Sequence, residues 1–267
     1  MKIVAWIGNE PNQKALVNKI NKEFSLSGLV IESRVSSSKM NFIKIFEKIF
    51  EKVFLPSIDN AWFGMKKHFE NSYSTLLGVP TINLNNINSN ETVKFTKNIS
   101  PDLIIVSGTS LIKKDLLVIN PSIGIINLHT GLSPYIKGGP NCTNWCIATK
   151  QFHYIGNTIM WIDKGIDTGN IITSEPTKIS DFSNLRDVHI TVMEHAHDLY
   201  LKAIKSLLLG NRNSTNQNEI SKGTTYYSKQ WTLKHKINLV KNFKNFKNSS
   251  QISQIHNQII TIKLKNY

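Results

Sequence analysis

Residues 103–106 read Leu-Ile-Ile-Val, an unbroken apolar run set between Pro101-Asp102 and Ser107-Gly108-Thr109-Ser110. A strand without polar alternation is buried on both faces, which requires helices on each side of it and therefore a largely parallel sheet. The surrounding chain fits that requirement. Residues 1–7 form an apolar stretch closed by Gly8, residues 13–24 carry Leu16, Ile20 and Phe24 at helical spacing, and residues 28–33 and 81–84 are further strand segments. Residues 124–126 are another apolar run, ending at Asn127 and His129. Strands alternating with helical stretches predict an α/β fold, a Rossmann-like, mostly parallel sheet with helices on both faces. Ligands of such sheets bind outside the carboxyl ends of the strands, which singles out residues 107–112 and 127–138.

The segment 42–54 repeats Phe42, Ile45, Phe46, Ile49, Phe50, Val53 and Phe54 at intervals of three and four, leaving lysines and glutamates opposite. Mixed charges on the polar side favour a helix packed on the sheet over one lying on a membrane. Pro56 should stop it, and residues 65–73 should be helical. Asn90 is the expected cap of the helix from Glu91, and Ser183 of the helix over residues 185–209 that ends at Gly210. Residues 141–149 read as a helix, residues 154–162 and 171–173 as strands. His189, His195 and His197 read as surface or packing residues. From Asn211 onward Asn, Ser, Gln and Lys take over, which divides the chain into residues 1–210 and a C-terminal extension or small subdomain, 211–267.

Lysine plus arginine outnumber aspartate plus glutamate by 32 to 18, a net charge of +14 that invites a nucleic-acid partner. Only Arg34, Arg186 and Arg212 are arginines, and bidentate reading of bases and phosphates depends on that residue. The lysine excess favours anionic small substrates instead. Cys142 and Cys146, four apart and without matched histidines, make a poor zinc site and read as free thiols of a reducing cytosol; no metal is expected. No apolar run is long enough to span a bilayer, and residues 3–7 are too short for a signal-peptide core. A cytoplasmic location is the expectation.

Asn127 and His129 stand two apart on one strand end and share a face, with Leu128 turned to the core. Asp167 sits between Gly165 and Gly169, 38 residues after the histidine. An amide, an imidazole and a carboxylate suit oxyanion stabilisation and proton transfer. The alternative is structural: the strand-end groups satisfy backbone donors and Asp167 closes an Asx turn. The turn at Gly8 and Asn9 offers a place for an anionic substrate group, weakened by Glu10 and by Pro11, which has no N–H to donate.

Asn-Leu-His-Thr-Gly-Leu-Ser-Pro-Tyr-Ile-Lys-Gly at 127–138, followed at 156–172 by Gly-Asn-Thr-Ile-Met-Trp-Ile-Asp-Lys-Gly-Ile-Asp-Thr-Gly-Asn-Ile-Ile, resembles the catalytic core of the N10-formyltetrahydrofolate-dependent formyltransferases. That family's pattern is N-x-H-x-S-L-L-P-x-x-x-G and then D-x-G-x-D-x-G. Gly131 replaces its usual serine and Ser133 its usual leucine. The resemblance implies Asn127, His129 and Asp167 as catalytic residues and N10-formyltetrahydrofolate as formyl donor. It places the pterin along Ser110, Leu111 and Ile112 and near Trp161, Ile162 and Asp163. Gly8, Asn9, Tyr135, Lys137, Gly138 and Asn141 are the expected acceptor contacts. The chain is most similar to the amino-sugar N-formyltransferases, which implies a nucleotide-linked amino-sugar acceptor for surface polysaccharide biosynthesis, no membrane or nucleic-acid partner, and a homodimer. Methionyl-tRNA and glycinamide ribonucleotide are the alternative acceptors. A non-catalytic basic binding module on the same fold is the alternative of another class.

Overall fold

The computed structural model describes residues 1–34, 42–73, 78–179, 184–246 and 260–264. In chain order the elements are β1 (Ile3–Gly8), α1 (Pro11–Phe24), β2 (Gly28–Glu32), α2 (Phe42–Phe54), α3 (Pro56–Ser72), β3 (Thr81–Leu84), α4 (Asn90–Ile99), β4 (Leu103–Ser107), α5 (Lys114–Leu117) and β5 (Gly124–His129). They continue with β6 (Ile136–Gly138), α6 (Cys142–Ala148), β7 (Gly156–Trp161), β8 (Ile171–Pro176), α7 (Leu185–Leu208), β9 (Thr224–Tyr226) and α8 (Leu233–Phe246).

The main sheet has the order β3-β2-β1-β4-β5-β7-β8. Its first five strands are parallel, and β7 and β8 are added antiparallel. Alternation along β1 divides the core: Ile3, Ala5 and Ile7 pack with Leu16 and Ile20 of α1 and Leu199, Ala203 and Leu207 of α7. Val4 and Trp6 face the opposite layer with Ile104, Val106 and Leu116. Helices therefore cover both faces, as a sheet with unbroken apolar strands demands. Strand order reverses between β1 and β4, so a crevice opens at their carboxyl ends. Tyr200, buried on α7, pins that region. Its hydroxyl donates to the Ile126 carbonyl at 2.9 Å and accepts the Val106 N–H at 3.0 Å.

Several local expectations are corrected. Pro56 does stop α2, but it also occupies the first turn of α3, where its missing N–H costs nothing, and that helix begins well before residue 65. Ser89, not Asn90, caps α4 through the Thr92 N–H at 3.4 Å. Ser183 lies outside the described residues, and Asn184 caps α7 by accepting the Asp187 N–H at 3.0 Å. Strand β8 runs on to Pro176. His189 and His197 are buried, and burial lowers their pKa values to about 4 and about 3, so both are neutral packing residues. The apolar face of α2 is not laid on the sheet: Phe42, Phe46, Ile49, Val53 and Phe54 are exposed, while Glu51 on the polar side pairs with Lys236 of α8 at 2.5 Å.

The described residues between 211 and 246 pack closely on the sheet-bearing part. β9 pairs in parallel with β6, and Leu239 of α8 is buried with Trp145, Cys146 and Ile147 of α6. Asn242 of α8 donates to the carbonyls of Ile147 and Ala148 at 3.1 and 2.9 Å, satisfying the end of α6. Among the described residues no helix is long and apolar enough to cross a membrane.

Candidate active site

At the β1/β4 crevice a cavity of about 620 Å³ is walled by residues 107–112, 127–130, 138–141, 160–163 and 165–169. Glu10, Gln13 and Arg34 border it from the first two strands' loops, Trp62 from α3, and Tyr226, Tyr227 and Ser228 from the C-terminal segment.

Asn127, His129 and Asp167 converge on its wall. Asp167 Oδ2 lies 3.3 Å from His129 Nδ1 and accepts the Gly138 N–H at 3.0 Å. Oδ1 accepts from Asn127 Nδ2 at 3.4 Å. The other imidazole nitrogen, Nε2, faces the Ile136 carbonyl at 3.2 Å and the Cys142 Sγ at 3.6 Å. Burial by itself disfavours a charged ring. The Asp167 carboxylate, helped by the Cys142 sulfur and the Ile136 carbonyl, outweighs burial and raises the His129 pKa to about 10. An imidazolium has two N–H donors, and the ring meets an acceptor at each nitrogen, a carboxylate and a carbonyl. Asp167 itself sits at φ 52°, a left-handed conformation costing a non-glycine residue on the order of 1–3 kcal/mol. That backbone is held from outside: Gln217 Nε2 donates to the carbonyls of Asp167 and Gly169 at 2.8 and 2.7 Å.

Of the expected contacts, Ser110, Leu111, Ile112, Trp161, Ile162, Asp163, Gly138 and Asn141 line the cavity. Asp163 also closes its own turn, Oδ1 accepting the Gly165 N–H at 2.9 Å and the Thr168 hydroxyl at 2.6 Å. Asn141 caps α6 through the Asn144 N–H at 3.1 Å. Gly8, Asn9, Tyr135 and Lys137 are not brought to the wall. Gly8 is a packing contact, since a Cβ there would lie 2.4 Å from the Gly108 carbonyl oxygen. The Asn9 N–H is spent on the Glu32 carbonyl at 3.1 Å. Tyr135 stacks on Tyr154 at 4.8 Å and its hydroxyl bonds the backbone of Ile260. Lys137 is buried within β6.

Residues that the sequence did not single out complete the site. The Glu32 carboxylate is buried at the end of β2; Oε1 accepts the Ile87 N–H at 2.9 Å and Oε2 the Ser110 N–H at 2.5 Å. Arg34 donates to the Gly108 carbonyl at 2.8 Å, and Asn88 brackets the same loop through Leu111 and Lys113 at 3.0 and 2.8 Å. The loop expected to face a pterin is thus fixed by three side chains, from the end of β2, the residues after it and the turn before α4. Cys142 is buried beside His129, its thiol pKa pushed up by burial, and Cys146 is likewise free and buried. Glycine at 131 leaves room for this arrangement: a Cβ there would lie 2.7 Å from His129 Nε2 and 3.3 Å from Cys142 Sγ. Among the described residues no group of three or more His, Cys, Asp or Glu is placed to hold a metal ion.

The family model for formyl transferases matches residues 51–204. A methionyl-tRNA formyltransferase from Clostridium tetani is 35% identical over 119 residues, 44% of this chain and 37% of that protein. The chain spans about half or less of the length of the curated relatives it matches. Solved structures share the fold. A 4-N formyltransferase from Francisella tularensis superposes with TM-score 0.56 at 19% identity, covering 90% of this chain and 87% of that one. A phosphoribosylglycinamide formyltransferase from Bacillus halodurans gives 0.53 at 19%, with 78% and 95% covered. A sugar 3N-formyl transferase solved in the presence of dTDP and 5-N-formyl-THF gives 0.55 at 14%, with 92% and 81% covered.

Proposed function

The chain belongs to the formyl transferase family, and from that premise we propose that it transfers a formyl group from N10-formyltetrahydrofolate to the amine of a nucleotide-linked amino sugar. The observation that carries the reading is the Asp167 carboxylate held among His129, Gly138 and Asn127 on a cavity wall. The donor's flat ring suits the space between the 110–112 loop and Trp161 and Ile162, where exposed Leu111 and buried Ile112 supply apolar surface beside backbone. When bound, that donor supplies a formyl carbon attached to nitrogen N10.

The acceptor amine is already a nucleophile, so a serine or cysteine is not required. In the transfer a C–N bond forms to the formyl carbon, the bond to N10 breaks, the amine loses a proton and N10 gains one. Asp167 and His129 act as one carboxylate–imidazolium pair: the pair takes the amine's proton and returns one to the leaving nitrogen. Asn127 places its side-chain N–H groups at the cavity wall, where one can meet charge developing on the formyl oxygen. The buried Asp167 partners keep the carboxylate from wandering as its charge is used.

A small acceptor is favoured by how the C-terminal segment borders the cavity with Tyr226, Tyr227 and Ser228, which line it together with Glu10 and Arg34. The turn after β1 argues against glycinamide ribonucleotide, because Pro11 at the helix start offers no N–H and Glu10 repels a phosphate. Methionyl-tRNA is the second reading, favoured by the identity to the Clostridium tetani protein and by the net charge of +14. The test is release of tetrahydrofolate with a panel of nucleotide-linked amino sugars, glycinamide ribonucleotide and methionyl-tRNA. The proposal expects the highest kcat/KM with an amino sugar; faster turnover with methionyl-tRNA replaces it by the second reading.

A further inference from the structure

We propose that residues 215–226 are the positioning element of the catalytic loop, and that Gln217 is the residue through which they fix Asp167. The proposal rests on the assignment of Asp167 and His129 as the reacting pair. Gln217 is buried, and its amide nitrogen donates to both carbonyls that flank the loop's turn, Asp167 at 2.8 Å and Gly169 at 2.7 Å. The two carbonyls belong to a backbone that enters the left-handed region at Asp167, with φ 52°.

The segment is itself anchored on the sheet. Thr215 and Ile171 exchange two backbone hydrogen bonds, each 2.8 Å, which places Gln217 beside the start of β8. A few residues later the same segment returns as β9 and pairs with β6, the strand whose Gly138 N–H bonds the carboxylate. Tyr226 accepts the Gly139 N–H at 3.0 Å, and Gly138, whose own N–H bonds Asp167 Oδ2, packs so closely that a Cβ would lie 2.0 Å from the Tyr226 carbonyl oxygen. Asp167 is therefore located from its backbone by Gln217 and from its carboxylate by the β6–β9 pair. Both constraints originate in one stretch of chain that is continuous with Tyr226, Tyr227 and Ser228 on the cavity wall.

The role is positional: Gln217 acts on the reaction through Asp167. Gln217→Met keeps the length and volume and removes both donors. It is expected to lower kcat by ~10-fold or more while moving the KM for N10-formyltetrahydrofolate less than ~3-fold, because displaced reacting groups cost turnover more than donor binding. The His129 imidazole signals, followed by NMR, are expected to titrate at lower pH in this variant, a change that a merely space-filling residue would not cause. Gln217→Asn, which keeps the amide but falls one methylene short, is expected to give intermediate values and carries the comparison if the Met variant does not fold. Wild-type kcat with an unmoved His129 titration in either folded variant overturns the inference. His129→Gln in the same assay separates the two levels: if it is as active as wild type, the assignment of the pair fails; if it is inactive while Gln217→Met is unaffected, only the role of Gln217 fails.

Discussion

His129 Nδ1 lies 3.3 Å from Asp167 Oδ2, and the two groups are ion-paired at a cavity wall with His129 almost wholly buried. The pairing determines which proton is available at neutral pH. Against the opposing effect of burial, the Asp167 carboxylate raises the His129 pKa to about 10, which favours the imidazolium at neutral pH.

A titration follows the pair directly. Because the folded pKa is raised above the ordinary value of about 6.5, the stability it contributes is fully present below about pH 6.5 and is lost as pH rises through about 10. The expected size is on the order of a few kcal/mol. Denaturant unfolding between pH 6 and 11 should show that decline. In Asp167→Asn the carboxylate is gone and burial prevails, so NMR should find the ring neutral at pH 7 and the decline absent.

Asn127→Ala removes an N–H donor from the cavity wall without emptying the core. A fall in kcat of ~10²–10³-fold is expected, with the donor KM nearly unchanged, if the amide meets charge only in the transition state. Equal losses of binding and turnover would assign Asn127 to ground-state binding instead.

Gly131→Ser tests the close approach of the 131 backbone, His129 and Cys142. A Cβ 2.7 Å from Nε2 must displace the ring, so kcat should drop ~10-fold or more. Cys142→Ala in the same chain frees space beside the ring and should recover part of the loss. No recovery in the double variant would mean that the ring does not relax toward the Cys142 side.

Glu32→Ala leaves the buried N–H of Ile87 and the half-buried N–H of Ser110 without their acceptor, a cost of about 1–3 kcal/mol for the buried one. The 110–112 loop should loosen, and the KM for N10-formyltetrahydrofolate should rise by ~10-fold with a smaller change in kcat. Melting temperature and KM measured together check both consequences.

The sheet was readable from the chain because β1 and β4 at its centre are apolar runs, buried throughout and closed by glycine or polar residues, and burial on both faces leaves few alternatives. The pair of residues at 127 and 129 was readable from alternation, and Asp167 from the glycines around it. Other features depend on contacts between segments far apart in sequence. Amphipathicity announced that α2 has an apolar face but could not say that Glu51, on the polar side, would be the one docked to Lys236. The turn at Gly8 offered a weakened place for an anionic group, and the missing side chain makes room there for the Gly108 carbonyl. Tyr135 belonged to the right loop and faces Tyr154 rather than the cavity. Glu32 and Gln217 carried no local signal at all, one at the end of an apolar strand and the other in an Asn-rich stretch, and each bonds backbone groups more than forty residues away.

His129→Gln is the most direct measurement of the central claim, since it keeps the side chain polar and of similar reach while removing the imidazolium. With N10-formyltetrahydrofolate and the best acceptor amine, tetrahydrofolate release should fall by ~10²–10⁴-fold while circular dichroism shows the fold retained. Turnover within about tenfold of wild type in the folded variant would fall outside that range and contradict the account.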